Sequence, residues 1–300
     1  MQGSMVNFYV VNSFAKQAFG GNPAGVVPDA AGLSDSQMLA VAKQLNLVET
    51  AFVCPPEKKG SDIRIRYFTP NKELPIAGHP TIACWVALVE EGKFTVEHRS
   101  RYLQETKAGP QEIELITKND ALFVRMAQPE PKFIKTPLFG SDIADTFGID
   151  SKAIVHPIRG VDTGLGHLIF GVDSIESLMK IRRQKEPLKK LCERFGLAEA
   201  QVFALEATDD NCDLHTRNIC PREGLEDPAC GVGNSALLAY LMDCGIRFTD
   251  DDAHMVAEQG HVVGMPSVIH TWGKRIDKDR YSMHIGGAGV IMAKGRIRVQ

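Results

Sequence analysis

The chain has 300 residues, 44% of them apolar, which is enough for about two domains of ordinary size. Its 34 Lys and Arg against 37 Asp and Glu leave a formal charge of −3 with no basic block, which argues against nucleic acid and for a small-molecule partner. The seven cysteines are an odd number without short paired spacing, as reduced thiols would be, and no stretch reaches the ~18 apolar residues of a membrane span. The expectation is therefore a cytoplasmic protein without a membrane partner.

Period-2 alternation predicts the first strand over 7–12. A helix follows in "LSDSQMLAVAKQLN", where Ser34 with Gln37 three residues on makes a capping box. Strands are predicted at 50–54 and 63–68, then a helix over 81–90 that is apolar nearly all round and so buried on every side. Strands at 112–117 and 122–126 lead into "MAQPEPKF" (126–133), where two prolines interrupt the pattern and mark a linker. Beyond it come helices in "SDIADTFG" and "EPLKKLCERFG", a strand at 201–206, and a second apolar helix over 235–244. The last strand is predicted over 283–293, and after "HIGGAG" (284–289) it is expected to return to the first domain.

The sequence is written twice. "RIRYFTPNKELPIAGHPTIACWVALVEEG" (64–92) and "HTRNICPREGLEDPACGVGNSALLAYLMDCG" (215–245) each read basic strand, proline, charged loop, glycine turn and apolar helix. Arg66 and Pro70 precede Arg217 and Pro221 by 151 residues, Gly78 precedes Gly231 by 153, and Gly109 precedes Gly260 by 151. The economical reading is an α+β fold of two pseudo-symmetric domains, 1–127 plus 286–300 and 128–285. Each is a curled, barrel-like mixed sheet around a central buried helix.

Two equivalent helices starting at glycine turns offer positively polarised N-termini with free N–H groups, a setting for a carboxylate if the domains face each other. Glu49 lies in "LVETAFV", and a carboxyl among apolar neighbours is poised as a general base, although a capping or solvated role fits the same position. His79, directly after Gly78, either bonds a substrate oxygen or caps the helix. Asp227, held extended by Pro228, either accepts from a substrate or N-caps. "GLGHLIFG" (164–171) lacks the glycine spacing of a dinucleotide site and instead mirrors "GNPAGVV", which places His167 near the site. Cys212, His215 and Cys220 lack a fourth partner, so no metal is expected.

Together "FGGNPAGVV" (19–27), "ETAF" (49–52), "IRIRYFTPNKELPIAGHPTIA" (63–83) and "EDPACGVGN" (226–234) resemble the PhzF family of phenazine-biosynthesis isomerase-like proteins, whose fold is shared with diaminopimelate epimerase and proline racemase. The resemblance implies an interdomain cleft, no organic cofactor, no metal and a homodimer. It implies that Glu49 removes a proton from one carbon and returns it to another, and that His79 and Asp227 orient the substrate. The amides around Gly78 and of Gly231, Val232 and Gly233 would hold a carboxylate, and Asn22 would border the cleft.

The sequence departs from the phenazine enzyme's Asp-Pro-Ala-Thr-Gly-Ser at Cys230 and Val232, so the expected substrate is another small carboxylate, an amino acid or cyclic amino-acid derivative. Related racemases use two thiols. Cys230 matches one of them, but the matching position in the first half is Ala77, so a two-cysteine mechanism fails. A racemase or epimerase using Glu49 and Cys230, and a non-catalytic ligand-binding member, are the alternatives.

Overall fold

The computed structural model describes residues 4–97, 99–118, 121–221, 226–278 and 280–299. Part of the second repeat's charged loop, 222–225, lies outside the described residues. The chain divides into two compact units, Met1–Ala127 with Gly286–Gln300, and Gln128–Ile285. Among the described residues no helix is long and apolar enough to cross a membrane.

The first unit runs β1 (Ser4–Ser13), β2 (Asn22–Val27), α1 (Asp35–Leu45), β3 (Thr50–Cys54), β4 (Ile63–Phe68), β5 (Glu73–Leu74), α2 (His79–Glu90), β6 (Arg101–Thr106), β7 (Gly109–Lys118) and β8 (Ala121–Gln128). The second runs β9 (Lys132–Ile134), α3 (Gly140–Phe147), β10 (Arg159–Asp162), β11 (Gly166–Val172), α4 (Ile175–Lys180), α5 (Lys185–Glu193), β12 (Glu199–Ala204), β13 (Leu214–Ile219), α6 (Gly231–Cys244), β14 (Asp252–Gln259) and β15 (Ser267–Asp277). Strand β16 (Arg280–Val299) then pairs with β1, so β1, β2, β3, β4, β6, β7, β8 and β16 close an eight-strand barrel.

Strand pairing repeats in the same order in both units. Neighbours β1 to β7, leaving out β5, pair antiparallel, parallel, antiparallel, parallel, antiparallel. Neighbours β10 to β15 do the same. The fold is thus α+β, with a run of mixed parallel and antiparallel strands and one buried helix in each unit.

Those helices are α2 and α6. Residues from His79 to Leu88 are all buried in α2, and every residue of α6 from Gly233 to Met242 is buried. With Leu237, Leu238 and Leu241 fully shielded, each leucine contributes about 1.5–3 kcal/mol of burial free energy. Both helices start earlier than the sequence pattern predicts, at His79 and Gly231 rather than Thr81 and Ser235. Proline and glycine read as breakers, but in a first turn Pro80 has no helical N–H bond to lose and its φ is already set. The Ser34–Gln37 capping box forms as expected.

The matched glycines Gly109 and Gly260 both have left-handed backbone, φ +126° and +85°. Space separates them. Nothing lies within 4 Å of a methyl added at Gly109, whereas one at Gly260 would collide with the carbonyl oxygen of Met265 and come within 2.6 Å of that of Pro228. Gly109→Ala is expected to cost about 1–2 kcal/mol, the strain alone. Gly260→Ala is expected to cost about 3 kcal/mol or more, because rigid backbone must move as well. Urea unfolding of the two variants checks the difference; equal losses would contradict it.

Candidate active site

In the first unit the ETAF glutamate stands just before β3. Its backbone carbonyl accepts from Gly25 of β2, which fixes it beside that strand. Glu49 is 9% exposed and His79 8%, and His79 Nδ1 lies 3.8 Å from Glu49 Oε2. His79 is the first residue of α2, with Gly78 as N-cap. Its carbonyl is held at 2.6 Å by the Ser13 hydroxyl, and Ser13 pairs across the sheet with Asn22, itself 2% exposed. The unit therefore brings Asn22, Glu49, Gly78 and His79 together, with Ser13 as a member that sequence patterns do not single out.

Beneath this group lies a buried polar network. The Thr81 hydroxyl donates to the Ala77 carbonyl and bonds the Tyr67 hydroxyl; Gln104 donates to Tyr67 and accepts from Trp85. Burial pushes the Tyr67 hydroxyl and the Cys84 thiol well above their ordinary values, so both stay neutral and act as scaffold.

In the second unit Asp227 is half-buried. Its Oδ1 accepts from Ala229 N–H at 3.0 Å, which turns the chain toward the start of α6. Gln259 ties the two together: its Nε2 donates to the Asp227 carbonyl at 2.8 Å, and its Oε1 accepts from Asn234 Nδ2 at 2.9 Å. The Thr163 hydroxyl holds the Val232 carbonyl at 3.1 Å, as Ser13 holds that of His79. By that match Val232 is the second unit's counterpart of His79.

Gly233 N–H is directed at Cys230 Sγ, 3.3 Å away, and Cys230 is the N-cap of α6. The Gly233 amide therefore already has a sulfur partner, whereas the N–H groups of Gly231 and Val232, in a first turn, have no intrahelical partner. Cys230 is also no isolated thiol, since His167 Nε2 lies 3.7 Å from its sulfur.

Among the described residues, two sets of donor atoms each gather within 4.8 Å: His167, Glu199 and Cys230 in one, and His215, Glu258 and His261 in the other. In the second, Glu258 Oε1 and Oε2 already accept from His215, Thr208 N–H and Asp209 N–H. The first offers three donors where a closed structural zinc site takes four. Cys212 and Cys220, which the sequence places near His215, belong to neither grouping.

The sequence matches the family described as phenazine biosynthesis-like protein, PhzC-PhzF, over residues 11–295. The chain belongs to the PhzC-PhzF family. Within it, an uncharacterized isomerase of Clostridium acetobutylicum is 31% identical over 299 residues, 97% of each chain. The trans-2,3-dihydro-3-hydroxyanthranilate isomerase of Pseudomonas fluorescens is 29% identical over 295 residues, 98% of this chain and 99% of that one. A PhzF-family phenazine biosynthesis protein from Bacillus anthracis superposes with a TM-score of 0.90 at 24% identity, covering 99% of this chain and 100% of that one, and shows the shared fold. Epimerase and racemase structures share this fold more distantly. This PhzC-PhzF protein is thus a member of a family of isomerases.

Proposed function

We propose that this PhzC-PhzF protein is a cofactor-independent isomerase that moves a proton on a small carboxylate, an amino acid or cyclic amino-acid derivative, with Glu49 as the acid–base group. The observation that carries this reading is the shielded pair in the first unit, Glu49 Oε2 at 3.8 Å from His79 Nδ1. Little water reaches that oxygen, and the imidazole beside it is a ready partner for a substrate heteroatom. His79 and Asp227 orient the substrate. The first-turn amides of α2 and α6 favour its carboxylate, because anions are stabilised at helix N-termini.

The isomerase of Pseudomonas fluorescens acts, by its name, on a cyclic amino-acid carboxylate, which supports the substrate class. Val232 presents methyl groups where the phenazine enzyme's motif has a serine hydroxyl. A substrate that relied on that hydroxyl would lose a hydrogen bond of about 0.5–1.5 kcal/mol and meet extra bulk. The substrate here is therefore a different member of the class.

Incubation with a panel of amino acids and cyclic amino acids in heavy water, read by mass spectrometry, tests the proposal. The expected result is deuterium on carbon in one of them. Measurable binding without exchange across the panel would overturn it and support the non-catalytic alternative.

A further inference from the structure

The second unit holds its own carboxylate and imidazole, at the place that corresponds to Glu49. Phe52 pairs with Arg66 in the first unit, and Val202 pairs with Arg217 in the second. Counting back three residues from each reaches Glu49 and Glu199. Both follow a leucine two positions earlier and a left-handed residue before that, Asn46 (φ +51°) and Gly196 (φ +67°).

Glu199 is 2% exposed and pairs with His167 across the parallel β11–β12 ladder. Its Oε2 lies 3.5 Å from His167 Nε2, which lies 3.7 Å from Cys230 Sγ. His167 Nδ1 is 2.8 Å from the Leu165 carbonyl, an acceptor only, so Nδ1 carries a hydrogen and Nε2 is left to exchange a proton with the thiol. Two features favour charge separation here. The Glu199 carboxylate faces the imidazole, and Gly233 N–H at the α6 N-terminus is directed at the sulfur, where a helix end favours negative charge. An inert core cysteine would have apolar neighbours instead.

We propose that Cys230 is a second proton-transfer group of this enzyme, with His167 and Glu199 as its positioning residues. The S–H bond of Cys230 breaks, its proton passes to His167 Nε2, and the sulfur keeps the electron pair; the reverse step hands the proton back through the thiol. The catalytic part of this proposal rests on Glu49 being the first base.

The test is the ultraviolet absorbance of a thiolate in the whole protein at neutral pH. Burial pushes the thiols of Cys54, Cys84, Cys192 and Cys244 up, so those four are silent. The difference between the natural protein and Cys230→Ser is expected to show one thiolate, and the near-isosteric Glu199→Gln is expected to lose it. Glu49→Gln is expected to keep it, which separates failure of this proposal from failure of the Glu49 reading. No thiolate in the difference spectrum, or one untouched by Glu199→Gln, would overturn the proposal. On the substrate found in heavy water, Cys230→Ser is expected to turn over about 10²–10⁴-fold more slowly. Full activity would overturn the catalytic part.

Discussion

Arg217→Ala is expected to destabilise the protein by about 3–5 kcal/mol, because it leaves a buried carboxylate without its counter-charge. The Arg217 side chain is 3% exposed and forks onto Glu226, Nε to Oε1 at 2.9 Å and Nη2 to Oε2 at 2.8 Å. Its Nη1 also donates to the carbonyls of Leu178 and Ile181 at 2.8 and 2.9 Å, pinning the end of α4. The duplicated arginine carries a different weight in the first unit. Arg66 bonds Glu73 at 2.8 Å and Asp35 at 2.7 Å, but its partners are 19% and 80% exposed. Arg66→Ala is therefore expected to cost about 1 kcal/mol or less, since solvent screens such pairs. Urea unfolding of both variants measures the contrast, and similar losses would contradict it. The double variant Arg217→Met with Glu226→Leu is expected to recover much of the loss, because no unpaired buried charge remains.

Glu49→Gln is expected to lower turnover by about 10²–10⁴-fold, the usual contribution of a positioned acid–base group and about 3–5 kcal/mol of barrier. The substitution keeps shape and hydrogen-bonding capacity, so the fold and the N-terminal turn of α2 should persist. Substrate binding should therefore change much less than turnover. A variant that binds normally and is catalytically silent separates a proton-transfer role from a structural one. If Glu49 only capped or solvated its loop, the amide would serve as well and turnover would remain.

The sequence made the duplication legible because arginine, proline and glycine punctuate both halves at constant offsets. The buried helices were legible as runs without a polar face, and the capping box at Ser34 as a local pattern. Strands β2, β5, β6, β9, β10, β11, β14 and β15 were not. Residues of β11 are buried along its whole length, so it reads as an apolar run with glycines rather than as alternation. Glu199 was not singled out either. Glu199 stands in "LAEAQVF", whose Leu-x-Glu matches Leu47-Val48-Glu49, but the strand predicted at 201–206 starts two residues past it, whereas β12 begins at Glu199 itself. Only the paired ladders, Phe52 with Arg66 and Val202 with Arg217, align the two glutamates. Ser13, Thr163 and Gln259 were invisible for another reason, since a hydroxyl or amide that holds a distant carbonyl leaves no local pattern.

The measurement that tests the central claim most directly is deuterium incorporation at the substrate's acidic carbon, comparing the natural protein with Glu49→Gln in heavy water. If Glu49 takes the proton, the natural protein labels that carbon and the folded variant labels it about 10²–10⁴-fold more slowly. Labelling by Glu49→Gln at the natural rate would contradict the account.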